Sequence, residues 1–333
     1  MYEIQPEIHF PLVKRIFSVF LFAMHRLIGI FSLIFIILLF PGKSTGGGGQ
    51  HYPNGAEGFL CGIAPDPGLY LVNYTTWYTS SSLRDNHGND LKKLDFHLNL
   101  IADAPRLLYF PKFKILGASY GIYLTVPIYH ANIKLKAGGF SLMNDSSSGT
   151  GDLVFSPLIL GWHFQEILHW VFSFDISPPS GHYDARHPAT TILSRNIWSF
   201  MPNLSVTWLV GPGIDISLKF LSEFHTKNHE YRTLFGQKAE LEPGAEFHVD
   251  YAVGLPLSPD LRVGINGFFY QQLQDDRIND KTIENDRGRV FAIGPAARYS
   301  WKSWAVIFKE QFEIWVRNRP KGNISWIKIQ HHF

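Results

Sequence analysis

The chain ends in Ser325-Trp326-Ile327-Lys328-Ile329-Gln330-His331-His332-Phe333, in which polar and apolar side chains alternate up to a terminal aromatic residue. Successive side chains of a β-strand point to opposite faces, so this alternation gives the last strand one apolar and one polar face. A barrel wall with lipid outside and water inside requires such strands. The ending therefore predicts a membrane β-barrel, and we expect the barrel assembly machinery to bind this strand through Phe333.

The composition favours a membrane protein over a soluble enzyme. Of the 333 residues, 45% are hydrophobic, 15% are aromatic and only 17% are charged, which suits an apolar outer surface with an aromatic girdle. The net charge of +2 and the scattered lysines and arginines indicate no nucleic-acid partner. Cys61 is the single cysteine, which excludes an intramolecular disulfide. No motif predicts a metal site or a cofactor.

Alternating segments separated by turn signals continue through the chain from residue 67 to residue 333. The pattern is clearest between Gly244 and Leu255, where one face is apolar and the other polar: Phe247, Val249, Tyr251, Val253 and Leu255 against Glu246, His248 and Asp250. Short links alternate with long polar ones, the short ones at 211–213, 257–260 and 301–303, the long ones at 83–93, 143–151, 180–195, 226–242 and 274–287. This pattern predicts an all-β fold, a single antiparallel transmembrane β-barrel of about twelve strands with short periplasmic turns and long external loops.

The first residues resemble an export signal. Two apolar stretches, 16–24 and 27–40, are separated by His25-Arg26 and followed by small residues. We predict a leader over residues 1–45, with a possible true start at Met24, a Gly-rich linker over 46–66, and an outer-membrane β-barrel over 67–333. An uncleaved membrane helix is the alternative for the leader. Cys61 lies too far beyond the apolar stretch for a lipoprotein signal, so we interpret it as structural.

Polar and aromatic side chains on the inward face are the candidate site residues. Carboxylates and cations facing each other across a lumen would brace it and set its selectivity. The lumen and selectivity candidates are Glu246, His248, Asp250, Lys219, Arg262, Tyr270, Gln272, Arg289, Lys309, Lys328 and Trp326. The candidates for a gate in the loops are Asp275, Asp276 and Arg287. The row Glu246, His248 and Asp250 could also bind a metal, but a solvated polar network explains it more simply.

Gly117-Ala118-Ser119-Tyr120-Gly121 matches the G-x-S-x-G pattern of serine hydrolases. That chemistry requires a strand, a sharp turn and then a helix. Residues 122–126 instead continue as a strand pattern, so small residues in a barrel wall are the preferred interpretation. A lipid-hydrolysing barrel and a structural or adhesive surface barrel remain as alternatives to a channel.

Several motifs resemble a known family, the outer-membrane proteins of the phenol meta-cleavage pathway, also called the SphA-like or MetA-pathway phenol degradation family. The motifs are Pro67-Gly68-Leu69-Tyr70, Gly161-Trp162-His163, Pro179-Ser180-Gly181-His182-Tyr183-Asp184, Glu246-Phe247-His248-Val249-Asp250-Tyr251 and Arg287-Gly288-Arg289-Val290-Phe291. The resemblance implies an outer-membrane barrel that passes hydrophobic or aromatic compounds, without catalytic residues. The chain differs from the family in its long leader and in Pro105, which would disrupt a ladder strand.

About twelve strands leave only a narrow passage, since eight strands are filled by side chains and sixteen enclose an aqueous channel. We therefore expect a passive, non-catalytic channel for small hydrophobic or aromatic compounds. The expected location is the outer membrane of a Gram-negative cell, and the expected partners are the lipid bilayer and the solute.

Overall fold

Long antiparallel strands make up most of the chain. The structure is a computed structural model that describes residues 51–211, 213–233 and 236–333, together with the short strand Thr45–Gly46. The long strands are β1 (Gly68–Leu83), β2 (Leu94–Phe110), β3 (Ala118–Thr125), β4 (Ile128–Ala137), β5 (Phe140–Thr150), β6 (Val154–Phe164), β7 (Leu168–Ser177), β8 (Ser199–Val210), β9 (Ile214–His225), β10 (Glu246–Pro256), β11 (Leu261–Gln272), β12 (Arg289–Trp301), β13 (Trp304–Arg317) and β14 (Pro320–His332).

These strands close into one barrel. Except at β3 to β6, each pairs with its neighbours along the chain, and β14 pairs with β1. Both β3 and β4 pair with β2, while β5 pairs with β4 and β6 pairs with β3. Thus β3 with β4, and β5 with β6, form two interrupted wall strands, and the fourteen segments give twelve wall strands, 14 − 2 = 12. The predicted all-β barrel of about twelve strands is confirmed.

Short elements decorate the two ends of the barrel. A single turn of helix, α1 (Thr190–Leu193), lies between β7 and β8. Two-residue strands occur at Lys114–Ile115, Leu241–Glu242, Arg277–Ile278, Lys281–Thr282 and Asn285–Asp286, and the last pairs in parallel with Thr45–Gly46. We call the end with the long connections 178–198, 226–245 and 273–288 the loop end, and the opposite end the turn end. In the part of the chain that the structure describes, no helix is long and apolar enough to cross a membrane.

The segment from Met143 to Gly151, which the sequence predicts as a loop, is mostly strand. It belongs to β5, which pairs with β4 from Phe140 to Thr150. Its serine-rich sequence resembles a loop because both faces of β5 carry small polar residues at the loop end. Polarity alone therefore does not distinguish a loop from a strand that extends into water.

Inward and outward positions alternate as the sequence predicts. On β10 the side chains of Glu246, His248 and Asp250 are buried, while Phe247 and Val249 between them are half-exposed on the outside. Aromatic side chains are exposed on the outer face at both ends of the wall strands, among them Trp77, Trp198 and Trp315 at the loop end and Trp208, Trp301 and Trp304 at the turn end. This belt is the surface that a membrane barrel presents to lipid.

Pro105 does not break its strand, contrary to the sequence-based expectation. Proline lacks the N–H that a ladder needs, so it fits a strand only where no acceptor faces it. The neighbouring wall strand is interrupted at this level, between Thr125 and Ile128, and the carbonyl of Pro105 accepts a hydrogen bond from the N–H of Val126 (3.0 Å). Pro105 and the interruption therefore occur together.

Residues 51–66 lie inside the barrel, and we call them the inner segment. At the loop end, where His51 lies, the inner segment contacts β8, β9 and β10. Near the turn end, the Gly62 N–H donates to the Thr207 hydroxyl of β8 (2.9 Å). The sequence predicts a Gly-rich linker over 46–66, and of this range residues 51–66 pack against the inner face of the wall. The predicted leader, residues 1–45, lies outside the described residues except for Thr45 and stays a prediction.

Candidate functional site

One wall carboxylate holds the middle of the inner segment. Asp250 accepts hydrogen bonds from the Tyr52 hydroxyl (2.5 Å), the Gly55 N–H (2.8 Å) and the Glu57 N–H (2.9 Å). A chain without secondary structure of its own needs partners for its buried backbone groups. The inward carboxylate on β10 therefore replaces the ladder that the segment lacks.

Lysine and glutamine side chains of β13 satisfy the carbonyl groups of the same turn. The ammonium group of Lys309 donates to the carbonyl oxygens of Gly55, Ala56 (2.7 Å) and Glu57 (3.3 Å), and Gln311 donates to Gly55 (3.2 Å). The φ angle of Gly55 is +76°, and a Cβ there would collide with the Gln311 amide, so the turn requires glycine.

Glu57 carries the charge of the inner segment into a cluster of cations. Its carboxylate accepts from Lys328 (2.5 Å), from Arg106 (3.3 Å) and from the Tyr74 hydroxyl (2.7 Å). Burial alone would raise the pKa of Glu57, but the charges of Lys328 and Arg106 outweigh burial and hold that pKa well below its ordinary value of 4.5. The segment is therefore fixed to the wall by charge as well as by hydrogen bonds.

His51 anchors the loop-end start of the inner segment. Its ring nitrogens lie 2.7 Å from the Ser199 hydroxyl and 2.7 Å from an Asp152 carboxylate oxygen, and its N–H donates to Glu223 (2.9 Å). Burial would lower the pKa of His51, but the hydrogen bonds with Asp152 and Glu223 outweigh burial and raise it above 6.5. The ring and the backbone N–H of His51 together join it to the carboxylates of Asp152 and Glu223.

Glu223, Glu246 and His248 form a second carboxylate and imidazole group beside this anchor. They are fully buried, and their donor atoms lie within 4.8 Å of one another, as metal ligands do. The metal alternative weighed from sequence combined Glu246 and His248 with Asp250. Asp250 instead faces the inner segment, and Glu223 of the adjacent strand takes its place.

Two cavities remain on the other side of the lumen. The loop-end cavity, of about 340 Å³, is mainly apolar and is lined by Leu98, Leu100, Ala102, Ala104, Met201 and Trp326 among others. The turn-end cavity, of about 450 Å³, has a basic lining that includes Lys219, Arg298, Lys302 and Lys328.

Three side chains line both cavities and separate them. Arg106 lies between the rings of Tyr74 and Tyr123, with its guanidinium carbon 4.8 Å and 4.2 Å from the two ring centres. Its nitrogens also donate to the Thr125 hydroxyl (2.9 Å) and the Tyr74 hydroxyl (2.9 Å). Stacking on both faces and hydrogen bonds in its plane fix the guanidinium in place. We call Arg106, Tyr74 and Tyr123 the constriction.

Most predicted lumen residues face inward, and the structure shows which side chains they contact. Lys219 lies over the Tyr52 ring (4.6 Å), Arg262 pairs with Asp215 (2.5 Å), and Trp326 donates to Gln311 (3.0 Å). Tyr270 lies beneath the Arg319 guanidinium (4.4 Å) and is absent from both cavity linings, so only Trp326 of the two predicted aromatic residues lines a cavity. The transport roles predicted for these residues stay predictions.

Arg289 is an exception, because it lies on the outer face. Its guanidinium stacks on the exposed Trp315 ring at 4.2 Å, while its neighbour Val290 is buried inside. The prediction that Arg289 lines the lumen is therefore wrong. Cationic side chains near the end of a wall strand extend to the interface as easily as into the lumen, and position 289 has the outward parity.

The predicted gate residues join the loop 273–288 to itself and to β11. Arg287 pairs with Asp275 (2.7 Å), and Asp276 accepts from Gln272 (2.6 Å) and from the Gly244 N–H (2.8 Å). Burial, together with the charges of Asp276 and Asp275, raises the pKa of the nearby Asp286 to about 8. The sequence did not single out Asp286, whose burial depends on how the loop folds.

Ser119 has no hydrolase geometry. It is the second residue of β3, opposite Gly161, and the chain continues as a strand instead of turning into a helix. Among the described residues, no histidine or carboxylate is hydrogen-bonded to its hydroxyl. Burial raises the pKa of Cys61, the only thiol, to about 12, so it stays protonated and unreactive near neutral pH.

The residues missed from sequence are those that meet the inner segment and the constriction: His51, Glu57, Tyr74, Arg106, Tyr123 and Glu223. Tyr74, Arg106, Tyr123 and Glu223 are at inward positions of strands, so parity could have placed them inside. No periodic pattern marks the inner segment, because its conformation is imposed by the wall.

A family model described as "Putative MetA-pathway of phenol degradation" matches residues 80–329. The chain belongs to this family. The resemblance noted from the sequence motifs is thereby confirmed.

Comparison with solved structures finds similarity at low identity. The COG4313 outer membrane channel from Pseudomonas putida F1 aligns with a TM-score of 0.72 and 16% identity, over 85% of this chain and 100% of that one. The transport unit of the autotransporter AIDA-I from Escherichia coli gives 0.48 and 6% over 83% and 93%, and the TodX deltaS2S3 mutant monoaromatic hydrocarbon channel gives 0.44 and 9% over 84% and 93%. A comparison with curated proteins gives no match.

Proposed function

We propose that this protein is a passive outer-membrane channel for small aromatic or other apolar solutes. The observation that carries the proposal is the apolar loop-end cavity, which the arginine-centred constriction separates from the turn-end cavity. Its volume of about 340 Å³ suits a one-ring solute, since benzene fills an engineered apolar cavity of about 150 Å³. The family's link to phenol degradation supports this substrate class, and the fold shared with the COG4313 outer membrane channel supports a channel.

The constriction would select solutes as well as slow them. An aromatic solute that leaves the loop-end cavity meets two tyrosines and the guanidinium of Arg106. These groups favour a solute that carries a hydroxyl or a developing negative charge. The basic lining of the turn-end cavity would then attract that polar group. Phenol-like solutes fit both halves of the path.

Planar-bilayer recording of the purified full chain tests the proposal, with phenol as the probe. We expect a small conductance that phenol reduces, while glucose at equal concentration leaves it unchanged. Leu100→Trp would fill the loop-end cavity and abolish the phenol effect. Ile101→Trp, at the neighbouring outward position of the same strand, is the matched control and should retain it. Currents that are insensitive to phenol in the wild type would reject the proposed solute class.

A further inference from the structure

We infer that Glu223, Glu246 and His248 bind a divalent transition-metal ion at the loop end of the lumen. Nε2 of His248 lies 3.6 Å from Oε2 of Glu223 and 3.6 Å from Oε2 of Glu246. These separations are too long for hydrogen bonds. They are close to the donor separation of about 3.4 Å that a tetrahedral site with bonds of about 2.1 Å requires.

Two of the three residues that face this point have side-chain atoms without a hydrogen bond. Both carboxylate oxygens of Glu246 and Nε2 of His248 are buried and accept or donate no hydrogen bond within the described part of the chain, and both residues are 0% exposed. Oε2 of Glu246 and Nε2 of His248 face the shared point, while Oε1 of Glu246 lies 3.5 Å from Nη1 of Arg195 and 3.6 Å from Nε2 of His225. Buried polar atoms without partners are rare and costly, so the two at the shared point indicate a missing ligand.

The hydrogen bond of His248 suits a bound cation. Nδ1 of His248 lies 2.6 Å from Oδ1 of Asn54, and because that oxygen only accepts, Nδ1 carries a proton. The neutral ring then presents the lone pair of Nε2 to the two carboxylates, and a metal ion satisfies these acceptors together. A second proton on Nε2 would serve the same carboxylates when no metal is bound, so the metal ion and the proton compete for this point.

Local charge supports the same assignment. Arg195 is the nearest permanent cation, with its Nη1 3.5 Å from Glu246 and 3.8 Å from Glu223. The other basic groups at these carboxylates are the imidazoles of His225 and His51, which carry charge only when protonated. A divalent cation would supply the charge that one guanidinium leaves unmet. Two carboxylates and an imidazole suit Zn²⁺ and related first-row ions.

The site would also fasten the inner segment to the wall. Asn54 belongs to that segment and orients the ligand His248, as outer-shell partners of metal-bound histidines do. Glu223 accepts the N–H of His51 at the same time. Metal binding would thus stabilise the loop-end half of the segment in its observed position.

Calorimetric titration of the full, tag-free chain with Zn²⁺ after chelator treatment tests the site. We expect one ion per chain, about a hundredfold weaker binding in Glu246→Gln, and about tenfold weaker binding in Asn54→Leu, which removes only the orienting partner. Glu313→Gln, another buried inward carboxylate outside the group, is the matched control and should bind as the wild type does. Binding that is absent in the wild type, or equal in Glu246→Gln, overturns the inference.

If Glu246→Gln does not fold, as judged by its heat-modified gel mobility, a spectroscopic measurement on the wild type tests the site. Zinc K-edge absorption of the wild type with one equivalent of Zn²⁺ should show nitrogen and oxygen ligands with the scattering pattern of a single imidazole. A shell made of water alone would overturn the site.

Discussion

The two sides of the lumen are built from different residues. On β8, β9, β10 and β13 the inward side chains are mostly polar or charged and bind the inner segment, as Asp250 and Lys309 do. On β2 the inward side chains opposite are Leu98, Leu100 and Ala102, which line a cavity. A coiled segment needs hydrogen-bonding partners, while an apolar solute needs their absence. The contrast indicates that one side of the lumen holds the inner segment and that the other lines the proposed solute path.

The largest effect on conductance is expected when the side chains of the inner segment are removed. Replacing residues 52–62 with a Gly/Ser chain of equal length removes the side chains that fill one half of the lumen, and we expect single-channel conductance to rise several-fold. The same replacement of the exposed turn 257–260 is the control and should leave conductance unchanged. An unchanged conductance in the first variant would mean that the inner segment does not limit flow.

The second-largest effect on conductance is expected at the constriction. Arg106→Ala leaves Tyr74 and Tyr123 without the guanidinium between them and joins the two cavities, so conductance should rise about twofold, an estimate for one side chain in a narrow pore. Arg106→Lys keeps the charge but loses the planar group that stacks on both rings, and should give an intermediate value. Equal conductance in all three proteins would show that the path lies elsewhere.

The alternation of polarity determines the fold but not the content of the lumen. The inward parity of Glu246, His248 and Asp250 could be predicted, because it depends on the strand period alone. Their partners could not be predicted, since a carboxylate that faces water and one that faces a buried backbone produce the same pattern. The prediction that Arg289 lines the lumen is wrong for a related reason, because a long cationic side chain near a strand end can face either way.

A third prediction concerns the polar side. Asp250→Asn weakens three hydrogen bonds from the inner segment, and we expect a loss of about 1–3 kcal/mol in the free energy of unfolding. Urea unfolding in lipid vesicles measures it. Asp95→Asn alters an exposed carboxylate on the outer face and should change that free energy by less than about 0.5 kcal/mol. Equal effects of the two substitutions would contradict the role of Asp250.

Glu57 should make the segment sensitive to acid. Because its folded pKa lies well below the ordinary value of 4.5, its contribution to stability is fully present above that value and is lost as pH falls through the folded pKa. We expect conductance to increase as pH is lowered below 4.5, and to do so less in Glu57→Gln, which has no carboxylate to protonate. The same increase in both proteins would assign the acid response to another group.

The smallest effect is expected at Ser119. It lies within β3 opposite Gly161, and a nucleophilic serine would need an adjacent base and a sharp turn to expose it. We expect Ser119→Ala to keep the conductance, the phenol sensitivity and the stability of the wild type, and neither protein to release fatty acid from phospholipid vesicles. Release by the wild type that disappears in Ser119→Ala would favour the hydrolase alternative, because a channel needs no nucleophile in its wall.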